Sequence, residues 1–92
     1  MKFEEFSQLI DKLSEEEEYE TVDTILDEKI NDIIKLESNE VKKYLELYAS
    51  LAGDTESLDR FDRLFNKAVS LGKVKETELK KYEASSPSNR WL

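Results

Sequence analysis

Two glycines and one proline in 92 residues leave this chain few places to turn sharply. A β-rich fold spends glycine and proline at its many tight turns, so their scarcity argues for long uninterrupted segments. The apolar residues agree. Phe3, Phe6, Leu9, Ile10 and Leu13 fall on one face of a helix. Tyr19, Val22, Ile25, Leu26, Ile30, Ile33 and Ile34 make a broader stripe, wide enough to touch two neighbours. Lys29 interrupts that stripe and is expected at its edge, with the ammonium reaching water.

The polar residues between these stripes read as punctuation. Ser14 has the character of an N-cap for the second helix, with Glu17 completing a capping box. Glu15–Glu18 would then lie in the first turn, where they complement the positive end of the helix dipole. This helix is expected to be the longest and to stop near Leu36 or Glu37. Ser38 or Asn39 is the expected cap of a third helix, carrying Val41, Tyr44, Leu45, Tyr48, Leu51 and Ala52, with Gly53 closing it. Asp54, Thr55 or Ser57 caps a fourth, whose inner face holds Leu58, Phe61, Leu64, Phe65, Ala68, Val69 and Leu71 before Gly72 ends it. A short fifth helix is expected from Lys75 to Ala84, held by Val74, Leu79 and Tyr82. Tyr44, Tyr48, Phe61 and Phe65 are the bulkiest core candidates.

The expected fold is therefore all-α: a compact bundle of four to five short, mostly antiparallel helices. Residues 1–84 form a single helical domain. Residues 85–92 are expected to form a C-terminal tail, disordered or loosely docked. At 92 residues the core is modest, so a monomer or a homodimer is expected, dimerisation being a way to add buried area.

The chain has neither cysteine nor histidine. That removes disulfides, thiolate nucleophiles, and the commonest general base and metal ligand. No glycine-rich phosphate loop or serine-nucleophile motif is present, so no enzyme activity, catalytic residue or cofactor is expected. Asp54 to Asp59 lacks the central glycine of a calcium loop and places Leu58 inside it. No metal is expected. Asp59 and Asp62 are expected to pair with Arg60 and Arg63 on a solvated helix face. The first residues carry acids rather than an apolar leader, and no run is long enough to span a membrane. A cytoplasmic protein with no membrane partner is the expectation.

Charge supplies the functional clue. Residues 1–37 hold 13 of the 22 acids but only 4 of the 14 bases, a net charge of −9, whereas the remainder nets +1. Such asymmetry bears on partners rather than on fold. Glu16, Glu20, Asp23, Asp27, Glu28 and Asp32 fall three to five apart on the side of the second helix away from its apolar stripe. Carboxylates one helical turn apart are separated by ~6 Å along the axis, close to the phosphate spacing of a nucleic acid. In the tail, Arg90 and Trp91 offer the two residue types that dominate interface hot spots.

Ala49-Ser-Leu-Ala-Gly53 resembles the Ala-x-x-x-Gly of a DNA-binding helix-turn-helix. The pattern departs at Asp59, where that motif needs an apolar residue, and Glu56, Asp59 and Asp62 offset Arg60 and Arg63 on the would-be recognition helix. Direct nucleic-acid binding is accordingly disfavoured. Two readings carry forward, with a helix-turn-helix DNA-binding module as a minor third. One is a small acidic helical interaction module (an adaptor, inhibitor or assembly factor) that docks an acidic helix face on a basic protein surface. The other is a nucleic-acid mimic, of the kind phages and mobile elements encode, that blocks a host DNA- or RNA-binding protein. Glu20, Asp23, Asp27, Glu28 and Asp32 are the acids for which folding alone offers no reason.

Overall fold

The computed structural model describes residues 2–52 and 55–83. Among them are five α-helices and no β-strand: α1 (Phe3–Glu15), α2 (Tyr19–Ile33), α3 (Ser38–Ser50), α4 (Thr55–Ser70) and α5 (Leu79–Glu83), the last entered through a 3-10 turn at Glu76–Glu78. The expected all-α bundle is the observed fold. The proposed cap Asp54, the helix end at Gly53, Ala84 and the tail 85–92 lie outside the described residues.

Helix α3 is the hub, touching all four other helices. Its buried positions Val41, Tyr44, Leu45, Tyr48 and Ala49 follow three- and four-residue spacing and are at most 2% exposed. The Tyr44 ring receives Phe3 edge-on at 5.0 Å and lies 5.5 Å from Phe6, which fixes α1 against α3. The buried Tyr48 hydroxyl donates to the Leu26 carbonyl at 2.6 Å, tying α3 to α2. Burial pushes the Tyr48 hydroxyl's pKa far above the usual phenolic range. At the other end of the core, Phe61, Phe65 and Tyr82 form a triangle with centroids 5.9 to 6.1 Å apart, joining α4 to α5. The Tyr82 hydroxyl is buried without a hydrogen-bond partner among the described residues, and burial pushes its pKa up to about 12. The 3-10 turn is held by Glu78, whose carboxylate accepts the Lys75 N–H at 2.8 Å and meets the Lys42 ammonium at 3.3 Å.

Several boundaries differ from expectation, each for a local reason. Ser14 is not an N-cap. It lies inside α1, which runs to Glu15 and ends in a Schellman turn: the Glu18 N–H donates to the Leu13 carbonyl at 2.9 Å and the Glu17 N–H to that of Ser14 at 3.1 Å. Helix α2 begins only at Tyr19, with no side-chain cap at Glu18. Glu15 and Glu16 therefore sit at the negative end of the α1 dipole, the opposite of the expected arrangement. Helix α2 also stops early, because Leu36 and Lys35 bond three residues back, to Ile33 and Asp32, and tighten the last turn. It is 15 residues long against 16 for α4. The N-cap of α3 is Glu37 rather than Ser38 or Asn39. Tyr19 and Leu71, both expected inside, are 59% and 54% exposed. Tyr19 is the first residue of α2, at the side of an open cleft, and Leu71 lies just past the end of α4.

Helix α4 ends in the same hydrogen-bonding pattern as α1, from Lys73 to Ala68 and from Gly72 to Val69. Gly72 takes the left-handed position there with φ +73°, whereas α1 puts Glu17 in it with φ +62°. A residue with a Cβ loses roughly 1–2 kcal/mol in that conformation, and glycine does not. Replacing Glu17 by glycine is expected to stabilise the protein by ~0.5–1 kcal/mol, the remainder being lost to the greater freedom of glycine in the unfolded chain. Urea unfolding beside Glu17→Gln, which removes only the charge, checks this. Equal shifts for the two variants would show that the backbone strain is not the cause.

Candidate functional site

An α-helix advances 100° per residue, so acids three to five apart do not share one line. The structure resolves the α2 acids into two stripes on either side of an exposed crest. The crest carries Glu20 and Thr24, with the Thr24 hydroxyl donating to the Glu20 carbonyl at 3.0 Å. Asp23 and Asp27 turn toward α4. Glu28 and Asp32 turn toward α1, where they line a groove with Phe6 and Leu9. Glu16 stands exposed in the α1–α2 connection.

The α4-facing stripe is occupied by basic side chains of the same molecule. Arg60 is only 4% exposed, the one charged residue buried among those described. Its Nε donates to Asp27 Oδ1 at 2.8 Å and its Nη2 lies 3.2 Å from Asp23 Oδ1. Arg63 Nη2 reaches Asp27 Oδ1 at 2.9 Å, and one turn on Lys67 Nζ meets Asn31 Oδ1 at 3.4 Å. Asp23, Asp27 and Asn31 thus face Arg60, Arg63 and Lys67 as two matched rows. Partial burial works against ionisation of Asp27, but the hydrogen bonds and charges of Arg60 and Arg63 outweigh it and hold its pKa below the usual carboxylate value.

This arrangement corrects the reading that folding has no use for Asp23 and Asp27. They neutralise a buried guanidinium. It also corrects the expectation that Arg60 lies on a solvated helix face: it is buried, and both Arg60 and Arg63 form ion pairs that cross to α2. The sequence did carry a signal for this. Acids at 23 and 27 with an amide at 31 match bases at 60, 63 and 67 on a second helix, a complementarity visible only when the two helices are set side by side.

The remaining candidates are placed differently. Glu16, Glu20, Glu28 and Asp32 are exposed and make no ion pair among the described residues. The groove beside Glu28 and Asp32 has a volume of about 250 Å³, with Phe6, Leu9 and Ile25 as its apolar surface. Lys29 lies along it with Nζ 5.6 Å from the Phe6 ring centroid, on the edge of the stripe as expected. A second cleft, of about 270 Å³, is lined by Ser14, Tyr19, Val22, Leu26 and Leu51, with the Asp23–Arg60 pair at its side. Arg90 and Trp91 lie outside the described residues.

Among the described residues no group of three or more acids is placed to hold a metal ion. No helix there is long and apolar enough to cross a membrane. No protein-family model, curated protein or solved structure matches the chain.

The clamp has a pH signature. In the unfolded chain Asp27 takes up a proton near pH 4, and in the folded protein only at lower pH. A depressed folded-state pKa means that its contribution is complete above about pH 4 and is lost as pH falls through the folded value. Urea unfolding between pH 7 and pH 2 is expected to show a loss of stability below pH 4 to which Asp27 and, through its own depressed pKa, Glu78 both contribute. Asp27→Asn should lower stability at pH 7 and flatten that loss. Parallel pH profiles for the two proteins would contradict the assignment.

Proposed function

We propose that this protein is a small acidic interaction module, an adaptor, inhibitor or assembly factor, that docks the α1–α2 side of its bundle on a basic surface of a partner protein. One observation carries the reading: Glu20, Glu28 and Asp32 on α2, and Glu16 in the connection before it, remain exposed and unneutralised, while the neighbouring Asp23 and Asp27 are satisfied internally. Charges on a rigid element steer encounter and select partners without a loop having to order first. The exposed Tyr19, at the same end of α2 as Glu20, adds an aromatic surface of the kind interfaces favour. The proposed setting is the cytoplasm, where a cysteine-free chain needs no oxidising compartment.

Mimicry of a nucleic acid is the weaker alternative. It calls for a continuous row of negative charge, and Arg60 and Arg63 interrupt the row at Asp23 and Asp27. The same pairing weighs against the helix-turn-helix reading, since both arginines of α4 are held by carboxylates rather than offered to phosphate.

The test is charge reversal confined to the unneutralised set. A variant carrying Glu16→Lys, Glu20→Lys, Glu28→Lys and Asp32→Lys keeps Asp23 and Asp27 and should retain the helical circular-dichroism spectrum. A partner captured from native cells by the unaltered protein is expected to bind the variant at least tenfold more weakly, with its salt dependence largely gone. Undiminished binding would refute the reading. Competition of the captured partner by duplex DNA would favour mimicry instead.

A further inference from the structure

We infer that the groove between α1 and α2 receives a basic amphipathic helix of the partner, one bulky apolar side chain filling the groove while Lys or Arg one turn away pairs with Glu28 and Asp32. The inference rests on the docking role proposed above and names the chemistry that fits it.

Size comes first. A volume of about 250 Å³ falls below the roughly 300–1,000 Å³ of small-molecule sites and suits a single large side chain. The apolar part of the groove that an incoming side chain can meet is Leu9 and Ile25, both half-covered, above the almost wholly buried Phe6. Charge comes second. Glu28 and Asp32 stand four residues apart, ~6 Å along α2, the separation of an i,i+4 pair on a facing helix. Lys29, the other charged group of the groove, reaches from α2 over the Phe6 ring of α1. The unbalanced charge at the rim is therefore negative, on a protein of net charge −8, and an acidic occupant is repelled. An apolar anchor flanked by bases at helical spacing meets both requirements, the helix-in-groove mode of peptide recognition. The second cleft offers less, because its guanidinium and carboxylate already satisfy each other.

A fluorescein-labelled, 18-residue helical peptide of leucine and lysine, titrated with the full-length protein and read by anisotropy, tests this. Leu9→Gln is expected to weaken binding about tenfold, the effect of removing most of one apolar contact. Glu28→Gln with Asp32→Asn should weaken it by a similar factor and flatten its salt dependence, whereas Glu56→Gln on α4 should leave it unchanged. A peptide with alanine in place of leucine should bind about tenfold more weakly to the unaltered protein, an arm that requires no folded variant.

If the leucine and alanine peptides bind equally while the Glu28 and Asp32 changes still weaken both, charge alone is at work. The groove inference is then overturned and the docking role stands. An equal loss with Glu56→Gln would also overturn it, showing binding to negative charge in general. The chain's own Arg90 and Trp91 share the chemistry assigned to the partner. Absence of peptide binding, together with a shift in the emission of Trp91 on Leu9→Gln, would make the tail the occupant and overturn the assignment to a partner.

Discussion

A guanidinium buried between two helices constrains this fold more than any other single group. Arg60 is almost wholly removed from water, and an uncompensated charge in that position would cost several kcal/mol. Asp27 and Asp23 compensate it from α2, and Arg63 reinforces Asp27 from the solvent side. The two carboxylates keep contact with water, so the network combines one desolvated partner with two that are half-exposed. Its net contribution is correspondingly modest. Its geometric effect is larger: an arginine that must find both acids fixes α2 against α4 in rotation and in register. Apolar packing of Leu26, Ile30, Leu64 and Phe65 tolerates small slips that this pairing does not.

Once Asp23 and Asp27 are fixed by α4, the rotation of α2 determines where its other acids go. Glu20 rides the crest, and Glu28 and Asp32 lie over α1 beside an apolar groove. The charge asymmetry of the chain is therefore two features with different origins. One balances an internal cation. The other stays in solvent on the α1–α2 side, joined by Glu16 and by acids at the end of α1 where the helix dipole disfavours them. Those are residues whose charge has no internal partner among the described residues, and on that ground we propose them as the docking face.

Helix periodicity was the legible part of this sequence. The inner faces of α1, α3 and α4 follow three- and four-residue spacing, and the aromatic core residues Tyr44, Tyr48, Phe61 and Phe65 are buried where that spacing puts them. Gly72 ends α4 as its backbone freedom suggests. What was not legible depends on neighbours. Ser14 followed by Glu17 has the form of a capping box, but Leu13 and Ser14 instead supply the carbonyls of a Schellman turn, and the strained φ of Glu17 has no local cue. Asp23 and Asp27 look like surface acids until α4 is set beside them. Tyr19 and Leu71 match the stripes they extend but lie at the ends of their helices and are exposed.

The division of the acids is tested most directly by two double-mutant cycles in urea unfolding at pH 7, one pairing Asp27→Asn with Arg60→Met and the other pairing Glu28→Gln with Arg60→Met. For Asp27 and Arg60 the expected coupling is roughly 1–2 kcal/mol, below that of a fully buried pair because water reaches the Asp27 carboxylate. For Glu28 and Arg60 it should be zero within about 0.3 kcal/mol. Equal couplings in the two cycles, or none for Asp27, would contradict the division of α2 into an internal pair and an outward set.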